Sequence, residues 1–263
     1  MQGRTVMGKN IIACRPGVYD LPLPEALKEL KSAGIENAEV PVPSDGDFAK
    51  IAGAADAAGV GISTLSCNMT VDKPETAEMV EKAVDGAREI GVKIIFLSAT
   101  SKGMSYDDGL PILKRLAAKA AGAGVVLSLE THVPYCHNGD VAKKTMELVD
   151  SPGVGHNFDT ANVYFYNPRG TDAAEELKKV LPYVTSVHLK DSGKGEPESW
   201  DFPVLGTGVV DFPEIFRLLG ERGFTGPYTM EIEGPLVDGL PTEERTAKVA
   251  ACVEHLRNIG AMD

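Results

Sequence analysis

The sequence has few cysteines, few aromatic residues and a shortage of positive charge, and these shortages exclude several classes of protein. Its four cysteines, Cys14, Cys67, Cys136 and Cys252, form no C-x-x-C pair, which argues against a zinc knuckle or a small disulfide scaffold. Reduced thiols in a cytoplasmic protein are the simplest interpretation. With 26 basic and 38 acidic residues the net charge is −12, so binding to nucleic acid or to an anionic membrane surface is not expected.

Long apolar runs are also lacking. A membrane-spanning helix needs about 20 consecutive apolar residues, whereas the densest early stretch, Asn10 to Val18, is interrupted by Arg15 and Pro16. We find no convincing signal peptide, and we expect no membrane partner. A glycine-rich dinucleotide turn is missing too, because the Gly-Thr-Gly at 206–208 follows a polar loop rather than the first strand.

What the sequence contains is a regular alternation of short apolar runs with amphipathic stretches that end near a glycine. This alternation is typical of βα units around a parallel sheet. The predicted strands are Asn10 to Ala13, Asn37 to Pro41, Ile62 to Cys67, Lys93 to Leu97, Val125 to Glu130, Gly155 to Asp159, Ser186 to Lys190 and Tyr228 to Glu231. The predicted helices are Pro24 to Ala33, Asp47 to Ala58, Pro74 to Ile90, Asp107 to Ala123, Asp140 to Val149, Ala173 to Leu181, Pro213 to Arg222 and Thr242 to Ile259. Eight units of about 33 residues predict an α/β protein, a single-domain (β/α)₈ TIM barrel over residues 1–263, with a doubly wound open sheet as the alternative.

Polar residues end the last four predicted strands, where the chemistry of such a barrel lies. They are Glu130, Asp159, His188 and Glu231, at separations of 29, 29 and 43 residues. Any one of them alone is more often a capping or ion-paired group, but so many carboxylates placed together would repel one another without a cation. The set favours one divalent metal ion, with Mn²⁺, Mg²⁺ or Co²⁺ as the preferred ions and Zn²⁺ as an alternative.

Five segments of the chain resemble the xylose isomerase-like TIM-barrel superfamily, in particular its sugar phosphate isomerase/epimerase group with ketose 3-epimerases and inosose dehydratases. The segments are LETH (129–132), NFDT (157–160), SVHLKD (186–191), LGTGVVDF (205–212) and YTME (228–231). The resemblance implies that Glu130, Asp159, His188 and Glu231 bind one divalent metal ion. It further implies that Glu130 and Glu231 face each other across the substrate.

The chemistry permitted by this set is proton removal next to a carbonyl, with the metal ion as the Lewis acid that stabilises an enediolate. Glu130 and Glu231 would then be the catalytic acid/base pair of an isomerase or epimerase acting on a sugar, a sugar phosphate or a cyclitol. Dehydration of a keto-polyol such as an inosose on the same site is an alternative. A non-catalytic sugar-binding barrel is a third hypothesis.

Five further side chains are candidates for contact with a small sugar or polyol substrate. His132 would lie on the same side of its strand as Glu130. Asn162 stands where many relatives carry a histidine three residues after the aspartate, and it can bind a hydroxyl but not titrate. The other three candidates are Lys190, Glu39 and Trp200.

These last three have structural alternatives of their own. Lys190 would bind a substrate oxygen, neutralise the acidic cluster, or form a salt bridge to Asp191 or another barrel carboxylate. Glu39, at the end of the second strand, would bind sugar hydroxyls or pair with a barrel lysine. Trp200, the only tryptophan, lies in the long loop after the seventh strand and would stack on a sugar face or pack on its own loop.

The sequence leaves open whether the substrate carries a phosphate. No phosphate-binding glycine turn is evident after the seventh or eighth strand, although Ser-Gly-Lys-Gly at 192–195 could form a backbone anion cradle with Lys194. The oligomeric state is open as well, with a homo-oligomer suggested by the resemblance alone.

Overall fold

Eight parallel strands close into a barrel in the computed structural model, which describes residues 10–263. Each strand pairs with its neighbours in sequence order, and the last strand pairs with the first. The strands are Ile12–Cys14 (β1), Asn37–Pro41 (β2), Gly61–Thr70 (β3), Ile94–Thr100 (β4), Val126–Glu130 (β5), Val154–Asp159 (β6), Val184–Leu189 (β7) and Tyr228–Met230 (β8). The predicted (β/α)₈ barrel is confirmed, while the predicted start of the domain at residue 1 lies outside the described residues.

Helices surround the barrel and connect successive strands. They are Leu23–Ser32 (α1), Phe48–Ala58 (α2), Pro74–Glu89 (α3), Tyr106–Ala123 (α4), Gly139–Val149 (α5), Asn162–Phe165 (α6), Ala173–Val180 (α7), Phe212–Glu221 (α8) and Thr242–Asn258 (α9). Short 3₁₀ turns occur at Pro16–Tyr19, Leu181–Tyr183 and Gly234–Leu236. Eight of these nine helices, all within residues 10–263, correspond to predicted helices, whereas α6, which closely follows β6, was not predicted.

Local signals set where the helices begin and end. Five of the helices are preceded by a side chain that accepts a hydrogen bond from the backbone N–H three residues later, which satisfies an otherwise unpaired donor. These caps are Asp47, Ser105, Asn138, Asp172 and Asp211. Gly59 and Gly124 end α2 and α4 in the left-handed conformation, which glycine adopts without steric penalty.

The interior of the barrel is polar beneath the mouth. Because side chains alternate along a strand, Ser128 points inward with Glu130, and Ser186 points inward with His188. Ser128 and Ser186 lie 2.8 Å apart at their hydroxyl oxygens, and the Asn157 side chain donates to Ser186 at 2.7 Å. This buried hydrogen-bonded layer forms the floor on which the strand-end residues stand.

The structure bears on the state of the cysteines and on the presence of membrane-spanning helices. All four cysteines are buried free thiols. Within residues 10–263, no helix combines the length and the apolar character that crossing a bilayer requires.

Candidate active site

Four strand-end side chains converge at the mouth of the barrel. Glu130, Asp159, His188 and Glu231 each present one ligand atom, and these four atoms all lie within 4.8 Å of one another. The register of the sheet explains the convergence, since Asp159 pairs with His188 and His188 pairs with Thr229. The carboxyl ends of β5 to β8 therefore bring the predicted ligand set to one height.

Asp159 and His188 are each held by hydrogen bonds or a close carboxylate on one side and lack a hydrogen-bond partner on the other. Asp159 Oδ1 accepts hydrogen bonds from the backbone N–H groups of Ala161 and Asn162, both at 2.8 Å, while its buried Oδ2 has no hydrogen-bond partner. His188 Nε2 lies 3.1 and 3.2 Å from the two carboxylate oxygens of Glu39, whereas its buried Nδ1 has no hydrogen-bond partner. Buried polar atoms usually have a hydrogen-bond partner, and these two lie in the same cluster of possible metal ligands.

The geometry around His188 defines its orientation. The ring stacks on Phe96 with 4.4 Å between ring centroids, and a proton on Nε2 is the one that can bond to the Glu39 carboxylate. The Nδ1 lone pair then faces Glu231 Oε2 at 3.4 Å and Asp159 Oδ2 at 3.9 Å. An imidazole nitrogen directed at carboxylate oxygens, with its other nitrogen bonded to a carboxylate, is the arrangement of a metal-binding histidine. The donor set thus fits a divalent cation.

Asn162 positions Glu130 within the cluster. Its side-chain amide donates to Glu130 Oε1 at 3.0 Å, and its carbonyl oxygen lies 3.5 Å from Lys190 Nζ. Asn162 can do this because it is the first residue of α6, a helix that starts on the carboxylate of Asp159. Asn162, which was predicted to contact the substrate, thus contacts Glu130, a predicted metal ligand.

Two cations flank Glu231. Lys190 Nζ lies 2.6 Å from Glu231 Oε2, 2.8 Å from Glu233 Oε1 and 3.5 Å from Asp159 Oδ2. Arg15 contacts the other oxygen of Glu231 through Nη1 and approaches Glu39 to 3.4 Å through Nε. Burial by itself would lower the pKa of Lys190, but the charges of Asp159 and Glu233 outweigh it and raise that pKa above its usual value.

These contacts identify the ion-pair partners of Lys190 and Glu39 among those the sequence left open. Lys190 pairs with barrel carboxylates and not with Asp191, whose carboxylate accepts four backbone N–H groups. For Glu39, the alternative of a barrel lysine as partner is wrong, because the fully buried Glu39 carboxylate contacts His188 and Arg15 instead.

Arg15 and Glu233 are functional candidates that the sequence analysis missed. Arg15 directly follows β1, and Glu233 stands two residues beyond Glu231 just as His132 stands two residues beyond Glu130. The rule that selects polar residues at strand ends would have found both of them.

A cavity of about 330 Å³ lies above the cluster and is lined by most of the predicted site residues: Glu130, His132, Asn162, Lys190, Trp200 and Glu231. At its rim, the His132 ring lies 4.6 Å from the Tyr166 ring, and His132 Nδ1 donates to the Val133 carbonyl at 2.8 Å. Trp200 is 52% exposed and contacts the rings of Phe165 and Phe202. Glu39 is not part of this lining.

The sequence is similar to a TIM-barrel family and to sugar epimerases. The family model of the xylose isomerase-like TIM barrel matches residues 24–259. A ketose 3-epimerase from Arthrobacter globiformis is 26% identical over 233 residues, which cover 78% of this chain and 76% of that protein. The L-ribulose-5-phosphate 3-epimerase UlaE of Shigella flexneri serotype 5b (strain 8401) is 27% identical over 165 residues, which cover 59% of this chain and 55% of that protein.

Solved structures show the same fold. A xylose isomerase domain protein from Planctomyces limnophilus superposes with a TM-score of 0.79 at 23% identity, covering 96% of this chain and 98% of that one. A xylose isomerase-like TIM barrel protein from Mycobacterium smegmatis, solved in complex with magnesium, has a TM-score of 0.72 at 22% identity and covers 94% and 98%.

Proposed function

Because the chain belongs to the xylose isomerase-like TIM barrel family, we propose that it is a divalent-metal-dependent isomerase or epimerase of a sugar or a related polyol. The proposal is carried by one observation. Two buried atoms, Asp159 Oδ2 and His188 Nδ1, lack hydrogen-bond partners and face the carboxylates of Glu130 and Glu231. The sugar epimerases among the relatives support a carbohydrate as substrate.

In this proposal Glu130, Asp159, His188 and Glu231 hold the metal ion. When bound, the ion supplies a Lewis acid for the oxygens of a carbonyl and its neighbouring hydroxyl. Three oxygen ligands and one nitrogen ligand suit Mn²⁺, which we propose as the ion, with Mg²⁺, Co²⁺ and Zn²⁺ as alternatives. The magnesium in the M. smegmatis structure supports a hard divalent ion.

Glu130 and Glu231 move the proton. Glu130 is held by the neutral amide of Asn162, and Glu231 is held by the cations Arg15 and Lys190. Two carboxylates in such different surroundings can take the separate roles of acid and base. One of them removes the proton next to the carbonyl. The other returns a proton to the opposite face for epimerisation, or to the neighbouring carbon for isomerisation.

The test combines metal analysis with proton exchange. Wild type and a Glu130→Gln, Glu231→Gln double variant are stripped of metal, reloaded with Mn²⁺ and analysed for metal content. We expect about one ion per wild-type chain and a loss of binding in the variant. The loaded wild type is then incubated with ketoses and inososes in deuterated water, where carbon-bound deuterium is expected only in the presence of metal. Absence of metal from the wild type, or full exchange after metal removal, contradicts the proposal.

Dehydration of a keto-polyol is the second candidate, and the position of Lys190 favours it. The ammonium group lies in the cavity lining next to Glu231 and Glu233, where it can donate to a departing hydroxyl. Product mass separates the two reactions, because epimers have equal masses and a dehydrated product lacks one water. A panel without any turnover, together with sugar binding that survives Glu130→Gln, would indicate the non-catalytic sugar-binding barrel.

The predicted cytoplasmic location and homo-oligomeric assembly stay predictions. The buried free thiols support a reducing compartment. Size-exclusion chromatography with light scattering would give the oligomeric state.

A further inference from the structure

The loop between β7 and α8 uses its backbone N–H groups internally. In TIM barrels a phosphate group is frequently bound by the loops after the seventh and eighth strands. Here the N–H groups of Gly206, Gly208 and Val210 donate to the carboxylate of Asp191, at 2.9, 2.9 and 3.2 Å. In the loop after β7, the backbone donors that could surround a phosphate are therefore bonded to a buried carboxylate of the protein itself.

The Ser-Gly-Lys-Gly segment at 192–195 does not form the anion cradle that its sequence allowed. The Gly193 N–H donates to the Asp201 carbonyl at 2.9 Å, and the Gly195 N–H donates to the Ser192 hydroxyl at 3.1 Å. Lys194 is exposed. These glycine N–H groups are occupied, so they do not offer the converging donors that phosphate binding needs.

The charge of the cavity opposes a phosphate as well. Of the described residues that line the cavity or contact its ligand cluster, the five carboxylates are Glu39, Glu130, Asp159, Glu231 and Glu233. The two side-chain cations, Arg15 and Lys190, are both paired with these carboxylates. A divalent ion added to this set leaves a net charge of −1, whereas a phosphate ester carries about −1.5 to −2. Like charges at short range repel.

Neutral polar and aromatic groups complete the lining. Asn68 on β3 and Ser98 on β4 are paired in register and both border the cavity. The rings of Phe165, Tyr166 and Trp200 border it as well. Amide and hydroxyl groups bond to hydroxyls, and aromatic faces pack against the C–H face of a sugar ring or chain.

We infer that the substrate is an uncharged polyhydroxy ketone, a free ketose or a cyclitol ketone, and not a phosphate ester. This inference rests on the proposed function, for which it selects the substrate class. The inferred substrate differs from the phosphorylated sugar in the name of the L-ribulose-5-phosphate 3-epimerase. It agrees with the ketose in the name of the ketose 3-epimerase.

The first experiment compares paired substrates on the Mn²⁺-loaded protein. Ketopentoses and ketohexoses are assayed beside their 5- and 6-phosphates for exchange of carbon-bound hydrogen in deuterated water. We expect kcat/KM to be at least about tenfold higher for the free sugars. A higher kcat/KM for the phosphates overturns the inference and leaves the proposed function intact. Without exchange on either set the proposed function fails, and calorimetry then decides the inference: tighter binding of the phosphates overturns it.

A variant that changes the charge of the cavity tests whether electrostatic repulsion causes the preference for free sugars. Glu233→Gln removes one negative charge from the cavity lining, and Glu196→Gln removes one from the same face of the chain at its ion pair with Arg169, outside the lining. We expect the preference for free sugar over sugar phosphate to fall about tenfold in Glu233→Gln and to stay unchanged in Glu196→Gln. Equal effects of the two variants, or no effect of Glu233→Gln, would overturn the electrostatic basis of the inference. Melting temperatures of both variants report whether the fold is retained.

Discussion

The contact between Glu39 and His188 should determine how tightly the chain holds a metal ion. Both side chains are fully buried, and His188 Nε2 lies 3.1 Å from one Glu39 oxygen and 3.2 Å from the other. The substitution Glu39→Gln keeps the size of the side chain but removes its charge, so the imidazole loses the anion that orients it and increases its basicity. Removal of such an outer partner typically weakens metal binding by about 10- to 100-fold, which is about 1.4 to 2.7 kcal/mol.

The assay is calorimetric titration of Mn²⁺ into metal-free protein at neutral pH. Glu36→Gln is the matched control, because Glu36 directly precedes β2 and its side chain is 61% exposed beside Lys31. It undergoes the same change of charge, and we expect it to leave the Kd unchanged. A Kd for Glu39→Gln within about twofold of the wild type, below the range expected for an outer partner, would refute this account of His188. So would an equal weakening in the control.

Three further perturbations follow from the same structure. Lys190→Met removes the ammonium group that contacts Glu231 and Asp159 and would compete with a metal ion for them. We therefore expect Mn²⁺ to bind about tenfold more tightly, and weaker binding in the same calorimetric assay would contradict this. His156 is buried and its pKa is lowered to about 4, so the unfolded chain takes up a proton first as the pH falls below 6.5. The free energy of unfolding should then decrease by about 2 kcal/mol between pH 6.5 and 5. Urea titrations of His156→Gln should show a smaller decrease, and an identical pH dependence in that variant would contradict this role of His156. Asp191→Ala leaves four backbone donors without their acceptor and should lower the free energy of unfolding by about 3 kcal/mol, with a raised KM because the loop carries Trp200; unchanged urea midpoints would rule this out.

The convergence of the four proposed metal ligands could be predicted because parallel strands bring their carboxyl ends to one edge. Glu130, Asp159, His188 and Glu231 required only strand positions and chemistry, and the structure brings them together. Arg15 obeys the same rule but entered the sequence analysis only as an interruption of an apolar run.

Other features depend on parts of the chain that only the fold brings together. Helix α6 has four residues and no apolar periodicity, so its sequence carries no helix signal. Asp191 accepts hydrogen bonds from the N–H groups of Gly206, Gly208 and Val210, which lie 15 to 19 positions later in the chain. Composition does not show that the loop folds back in this way. The choice of Lys190 between Asp191 and Glu233 is likewise decided by packing.

The dual role of Asp159 has a consequence for how this barrel could be redesigned. One of its oxygens accepts hydrogen bonds at the start of the helix that carries Asn162 and Phe165 and is followed by Tyr166, and the other belongs to the cluster of proposed metal ligands. The rings of Phe165 and Tyr166 and the proposed metal ligands therefore form one module, and replacing either part should disturb the other. Asn68 and Ser98, on β3 and β4, border the same cavity and lie outside that module. An engineer who wanted a different sugar preference with the same chemistry would begin at those two positions.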